Sequence, residues 1–170
     1  AEHCAPYTRS DGLTLGEGAA FLILEEDNAA RNRGARILAE LRGYGLSADA
    51  YHPTAPDPRG RGARSAMVAA TRMAGIEMTE IDYINGHGTG TPANDTGELR
   101  LISSLGSPHP PVSSTKCMIG HTLGAAGAVE SVVSIKALVE QVLPPTHVPE
   151  DSLAQQCKTA RLEGEGIDIV

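Results

Sequence analysis

Residues 81–92, IDYINGHGTGTP, read as a short strand over Ile81 to Asn85 that runs into a glycine-rich turn carrying His87. The design recurs at 112–127, VSSTKCMIGHTLGAAG, where a strand from Val112 to Lys116 leads to a small-residue turn carrying His121 and then to a helix. Strand, turn and helix in alternation make an α/β fold, in which ligands bind beyond the carboxyl ends of the strands. Two histidines presented this way can face one pocket. The glycines allow a ligand to approach the backbone, and N–H groups in such turns donate to a phosphate or an oxyanion. Either imidazole alone reads more readily as a hydrogen-bonded structural residue, and it is the matched pair that points to chemistry.

Working outward, Asn94 or Asp95 toward Leu105 predicts a helix stopped by Gly106, and Ala125 to Val139 predicts a helix apolar almost all round and therefore buried. Upstream, Ala63, Met67, Ala70 and Ala74 recur at helical spacing and predict an amphipathic helix ending at Gly75. Before it, Ser47 to Gly62 (SADAYHPTAPDPRGRG) reads as a long ordered excursion or flexible loop. Gly18 to Glu25 (GAAFLILE) has the pattern of a strand buried on both faces. Asp27 to Gly34 follows as a short helix closed by glycine, and Ile37 to Gly45 as the next strand. The end, GEGIDIV, looks like a last strand cut off as it begins, and the start reads as a chain entered in mid-fold.

At 170 residues one compact core is expected, and with only 3% aromatic content that core must be filled by aliphatic side chains and close Gly and Ala contacts. The formal charge of −7 disfavours nucleic acid or an anionic membrane as partner. An acidic protein partner needs a local basic patch, for which Arg31, Arg33 and Arg36 are candidates against a solvated helix end. No apolar stretch is long enough to span a bilayer and no signal sequence opens the chain, so a cytoplasmic location is expected. Cys4, Cys117 and Cys157 are odd in number and widely spaced, which indicates neither a disulfide framework nor a metal site.

HGTGTP at 87–92, SSTK at 113–116 and GHTLGAAGAVE at 120–130 resemble the consecutive C-terminal motifs of elongating β-ketoacyl synthases of fatty-acid and polyketide type. RSDGLTLGEGAAFLILEE at 9–26, GYGLSADAYHPTAP at 43–56 and VLPPT at 142–146 extend the resemblance over essentially the whole chain. It implies a thiolase-like fold, layered α-β-α with a mixed sheet. Residues 1–170 supply most of its C-terminal half, short at both ends relative to the family and incomplete without an N-terminal half.

The resemblance also implies a reaction. A cysteine of the N-terminal half takes an acyl group from an acyl carrier protein; a malonyl-type extender on a second carrier loses carbon dioxide and attacks that thioester. His87 and His121 carry over as the histidines that hydrogen-bond the extender carbonyl, a task suited to two N–H donors facing developing negative charge. Lys116 and Glu130 match the family's lysine and glutamate. Pairing explains an ammonium at a strand end and a carboxylate on an apolar helix, either to hold and tune His121 or only to fix the helix. Thr89 and Thr91 match the threonines that meet the phosphopantetheine arm, where they otherwise read as turn residues. That arm enters as substrate carrier, and no permanently bound cofactor or metal is implied.

The family's nucleophilic cysteine has no counterpart by motif. Cys117, four residues before His121, is the local alternative and reads as structural. Asn94–Asp95 departs from the Gly-Asp common after HGTGTP and hints at a stand-alone bacterial enzyme. The expected partners are an acyl carrier protein and an N-terminal half or companion subunit supplying the cysteine, in a homo- or heterodimer. Alone, the chain should expose an apolar sheet face. The competing readings are a non-catalytic subunit resembling a chain length factor, against which both histidines and Lys116 are retained, and a degradative thiolase, against which HGTGTP stands.

Overall fold

The computed structural model describes residues 4–8, 11–53, 55–106, 109–146 and 166–170. Helices α1 (Asp27–Asn32), α2 (Arg61–Ala74), α3 (Pro92–Ser103), α4 (Lys116–Ile119) and α5 (Ala126–Glu140) accompany strands β1 (Ile84–Asn85) and β2 (Val112–Ser113). The strands run parallel, with Ile84 opposite Val112 and Asn85 opposite Ser113. Parallel neighbours cannot be joined by a hairpin, so the chain crosses between them through α3.

Alternation along β1 decides what each face meets, because successive side chains point to opposite sides. Tyr83, fully buried, packs with Ala137 and Leu138 of α5, with Leu143 and with Ile167. Ile84 joins Val112, Tyr7, and Leu99 and Ile102 of α3. The β-pair is thus sandwiched between α3 and α5. Asn85 ties the α5 side further by donating to the Glu130 carbonyl at 2.9 Å and to Ser134 at 3.1 Å.

The helices begin and end where their sequences dictate. Pro92 opens α3 at a position whose missing N–H costs nothing, and Gly75 closes α2 in the left-handed region at φ 71°. α2 lies directly on 43–45, so closely that only glycine fits at 43 and 45: a Cβ on Gly43 would come within 2.2 Å of the Ala70 carbonyl oxygen. The described ends of the excursion before α2 are tied together by the Asp49 carboxylate, which accepts from the Asp57 and Gly62 amides at 2.9 and 3.1 Å.

The strand expectations need correction. In place of a mixed sheet, the sheet among the described residues is the parallel pair alone. Residues 18–25 join no ladder and are not buried on both faces, with Phe21 93% and Ile23 95% exposed. Residues 37–45 likewise rest on α2 without strand pairing. A doubly buried strand needs neighbours on each side, and none of the described residues pairs with either stretch. The strand at 112–116 stops at Ser113 because Lys116 already opens α4. α5 is apolar as expected, but only Ala126 and Ala137 are buried along it. The last residues run beside 82–83, where Ile169 accepts from the Asp82 and Tyr83 amides at 3.0 and 3.3 Å. No helix among the described residues is long and apolar enough to cross a membrane.

Candidate active site

Both histidines lie just past the carboxyl ends of β1 and β2. The Gly86 amide extends the ladder by donating to Ser113 at 2.8 Å, and the chain then turns at Gly88, whose φ is 35°. Ser114 closes that turn by donating its hydroxyl to the Gly88 carbonyl at 2.9 Å, so closely that a Cβ on Gly88 would stand 2.5 Å from the Ser114 Cβ. His121 is held from the other side: its N–H donates to Thr14 at 2.7 Å and its carbonyl accepts from Gly16 at 3.0 Å. The two imidazoles meet edge to face, with ring centroids 5.3 Å apart and planes at 86°.

Lys116 and Glu130 form an ion pair, with Lys116 only 1% exposed. The ammonium also donates to the His87 carbonyl at 2.6 Å and lies 3.4 Å from His87 Nδ1. The direct contacts of the pair are therefore with His87, whereas His121, which the pair was expected to hold and tune, feels Lys116 through its charge. Lys116 lies beside the end of β1, whereas α4 carries the chain away from it before His121 is reached.

These contacts fix the tautomers. An ammonium has no lone pair, so Nδ1 of His87 accepts from Lys116 and the proton of the neutral ring resides on Nε2. On His121 the Leu123 amide donates to Nδ1 at 3.1 Å, again leaving Nε2–H as the donor. Both rings are biased toward neutrality. His87 is exposed in surface terms, yet the chain packed around its ring removes hydration, and this, followed by the Lys116 charge, pushes its pKa below the ordinary imidazole value. The His121 pKa falls for the same two reasons and through the neighbouring His87. Burial and the Lys116 charge thus bias both imidazoles toward the neutral form, in which each presents an N–H donor.

Two carboxylates that the sequence reading passed over secure the turn. Glu98 of α3 accepts from the amides of His87 and Gly88 at 2.6 and 2.8 Å and from the Tyr7 hydroxyl at 2.9 Å. Asp95, 2% exposed, accepts from the Tyr7 and Gly90 amides at 2.8 and 3.2 Å. The available signal was their i, i+3 spacing early in a helix that follows a turn full of unpaired amides.

Thr89 is buried and Thr91 half-buried, their hydroxyl oxygens 2.8 Å apart. The Cys117 thiol donates to the Ser114 carbonyl at 3.2 Å. Cys4 is buried against the Thr89 carbonyl at 3.3 Å, and burial raises its pKa. Cys157 lies outside the described residues. Of the candidate basic patch at Arg31, Arg33 and Arg36, Arg31 pairs with Asp27 and Glu40 and Arg33 with Glu25, in keeping with the alternative of a solvated helix end. Among the described residues no group of three or more His, Cys, Asp or Glu is arranged to hold a metal ion.

Against known families, residues 38–148 match the β-ketoacyl synthase C-terminal domain. The chain is 50% identical over 140 residues to the 3-oxoacyl-[acyl-carrier-protein] synthase 2 of Vibrio harveyi, covering 80% of the chain and 34% of that protein. It is 49% identical over 167 residues to the Vibrio cholerae synthase 2, covering 94% of the chain and 37% of that protein. It therefore spans about a third of the length of these relatives. Among solved structures, the ishigamide ketosynthase/chain length factor superposes with a TM-score of 0.83 at 40% identity, over 92% of this chain and 38% of that one. A type II polyketide ketosynthase solved with its acyl-carrier protein gives 0.82 at 34% identity, over 91% and 39%.

Proposed function

The chain belongs to the β-ketoacyl synthase family, as a C-terminal portion, and from that premise we propose that it supplies the two-histidine half of a decarboxylative condensing site. The observation that carries the reading is the pair His87 and His121, each with Nδ1 engaged by a donor and Nε2–H left to give.

In the proposed reaction, an acyl-carrier-linked malonyl-type extender places its thioester carbonyl before the two Nε2–H groups. The bond to the carboxylate breaks, carbon dioxide leaves, and the electron pair moves through the α-carbon onto the thioester oxygen. Two donors aimed at that oxygen stabilise the enolate, as an oxyanion hole does. The α-carbon then attacks an acyl thioester held on a cysteine from the cysteine-bearing segment, and the thiolate leaves. Neutral rings suit this role because they donate without transferring a proton to the enolate. Lys116, charge-balanced by Glu130, positions His87, and Thr89 and Thr91 are assigned to the pantetheine arm. A thiolase-like layered assembly with that second segment follows from the same reading.

The test is carbon dioxide release from malonyl-pantetheine by the chain assembled with a cysteine-bearing ketosynthase segment. His87→Ala and His121→Ala are each expected to lose two to three orders of magnitude, roughly the effect of removing one oxyanion donor. Release at the unsubstituted rate in either variant overturns the reading and favours a non-catalytic subunit resembling a chain length factor.

A further inference from the structure

Resting on the proposed condensing role, we infer that Tyr7 is a positioning residue of the site, its phenol hydroxyl acting through Glu98 to keep the His87 ring a neutral donor.

The phenol lies against the turn that carries His87. Tyr7 is 4% exposed, and its ring packs in the core with Ile102 and Val112. A Cβ on Gly86 would stand 2.1 Å from the Tyr7 hydroxyl oxygen, and one on Gly88 would stand 2.9 Å from the ring carbon that bears it. Glycine on both sides of His87 thus leaves room for the phenol. Helix α3 grips Tyr7 at two points: Asp95 accepts from its amide at 2.8 Å and Glu98 from its hydroxyl at 2.9 Å. The backbone between is left-handed, with φ 64°, a conformation that a bulky residue rarely adopts and that persists where its surroundings over-determine it. A phenylalanine ring would fill the same core with no polar group to satisfy. What the hydroxyl adds is its bond to Glu98.

Glu98 is half-buried and holds the His87 and Gly88 amides at 2.6 and 2.8 Å. That grip has an electrostatic drawback, because a carboxylate near an imidazole favours the imidazolium. The groups facing His87 are Lys116 of α4, Asp95 and Glu98 of α3, Glu130 of α5 and the His121 ring. Loss of hydration and then Lys116 lower its pKa, and of the three carboxylates that oppose them Glu98 acts most strongly. Hydrogen bonds to a carboxylate draw its charge away from other partners. The Gly88 amide, the Tyr7 hydroxyl and, at 3.4 Å, the Asn94 side-chain amide share Glu98 Oε2. Tyr7 therefore strengthens the hold on the turn and blunts its effect on the ring, without bringing a charge of its own.

NMR titration of the histidine ring protons in the full chain gives the readout. Tyr7→Phe keeps the aromatic ring, and the His87 midpoint is expected to rise by at least about 0.3 pH unit while that of His121 moves less than half as far. Glu98→Gln removes the charge and is expected to lower the His87 midpoint. Adding Tyr7→Phe to Glu98→Gln should then leave it unmoved, because no charge remains for the hydroxyl to offset. Tyr83→Phe removes another buried hydroxyl, bonded to Ser113 at 2.6 Å, and is expected to leave it in place. A hydroxyl that only supports the fold lowers stability in Tyr7→Phe with no change in the His87 midpoint; that result overturns the inference, as does an equal rise in Tyr83→Phe. In the chain assembled with a cysteine-bearing ketosynthase segment, the acid limb of malonyl-pantetheine decarboxylation is expected to move up with the His87 midpoint, and an unmoved limb overturns the positioning role. No release by the unsubstituted assembly overturns the condensing role instead, while the titration still decides whether Tyr7 governs His87.

Discussion

The Lys116 ammonium donates to the carbonyl oxygen of His87, 29 residues away, at 2.6 Å. This makes one buried charge responsible both for the path of the His87 backbone and, through Nδ1, for the tautomer of its ring.

Breaking that arrangement leaves Glu130 with an uncompensated charge in a largely buried position. Lys116→Met is expected to destabilise by about 3–5 kcal/mol, the range for halving a buried ion pair. Adding Glu130→Leu should recover part of the loss. Urea denaturation midpoints measure both, and a single-variant cost below about 1 kcal/mol contradicts the importance given to the pair.

The lowered pKa values of His87 and His121 set a sign for pH dependence. Unfolded imidazoles titrate near 6.5, so between that value and the folded pKa the unfolded chain binds more protons. Stability contributed by the neutral rings is present above about pH 6.5 and is lost as pH falls through the folded values. NMR titration of the ring protons should place both midpoints below 6.5. Either ring titrating above it removes the case for neutral donors.

Glu98 satisfies two turn amides and the Tyr7 hydroxyl at once. Glu98→Gln keeps the volume but loses an acceptor oxygen, and should cost about 1–3 kcal/mol. Hydrogen exchange at the His87 and Gly88 amides is expected to accelerate more than exchange along α5.

Two glycines should respond in opposite directions to the same methyl group. A Cβ on Gly16 would stand 2.0 Å from the Ile119 carbonyl oxygen, so Gly16→Ala must displace backbone and should destabilise strongly. Within α3, Gly97 is buried with nothing within 4 Å of its added Cβ. Gly97→Ala should stabilise by about 0.5–1 kcal/mol through helix propensity. Thermal melts of the two variants check the contrast.

Phe21, Ile23 and Leu24 are 93, 95 and 73% exposed. The isolated chain is expected to bind a hydrophobic dye and to self-associate. Phe21→Ser with Ile23→Thr should reduce both without lowering the urea midpoint, as read by dye fluorescence and light scattering.

What the sequence made legible follows from where its information is local. Periodicity and glycine stops located α2, α3 and α5 to within a few residues, because a helix satisfies its own backbone. GAAFLILE at 18–25 misled because a strand is defined by its neighbours, and those neighbours are not local. The meeting of His87 and His121 was readable from two matched strand-to-turn passages. The alliance of Lys116 with His87 was not: separation along the chain favoured His121, five residues on, and only the parallel pairing of β1 and β2 reveals the other partner. Asp95 and Glu98 were legible in principle as acids near a helix start, but their targets lie in a turn whose shape the sequence does not state.

The hydroxyls of Thr89 and Thr91, 2.8 Å apart, can exchange which of them donates. With the proton of Thr89 pointing to Thr91, the half-buried Thr91 is left to donate outward; with the bond reversed, its oxygen can only receive. Two protons turning in place thus invert what Thr91 offers to its surroundings, donor or acceptor, while every heavy atom stays where it is.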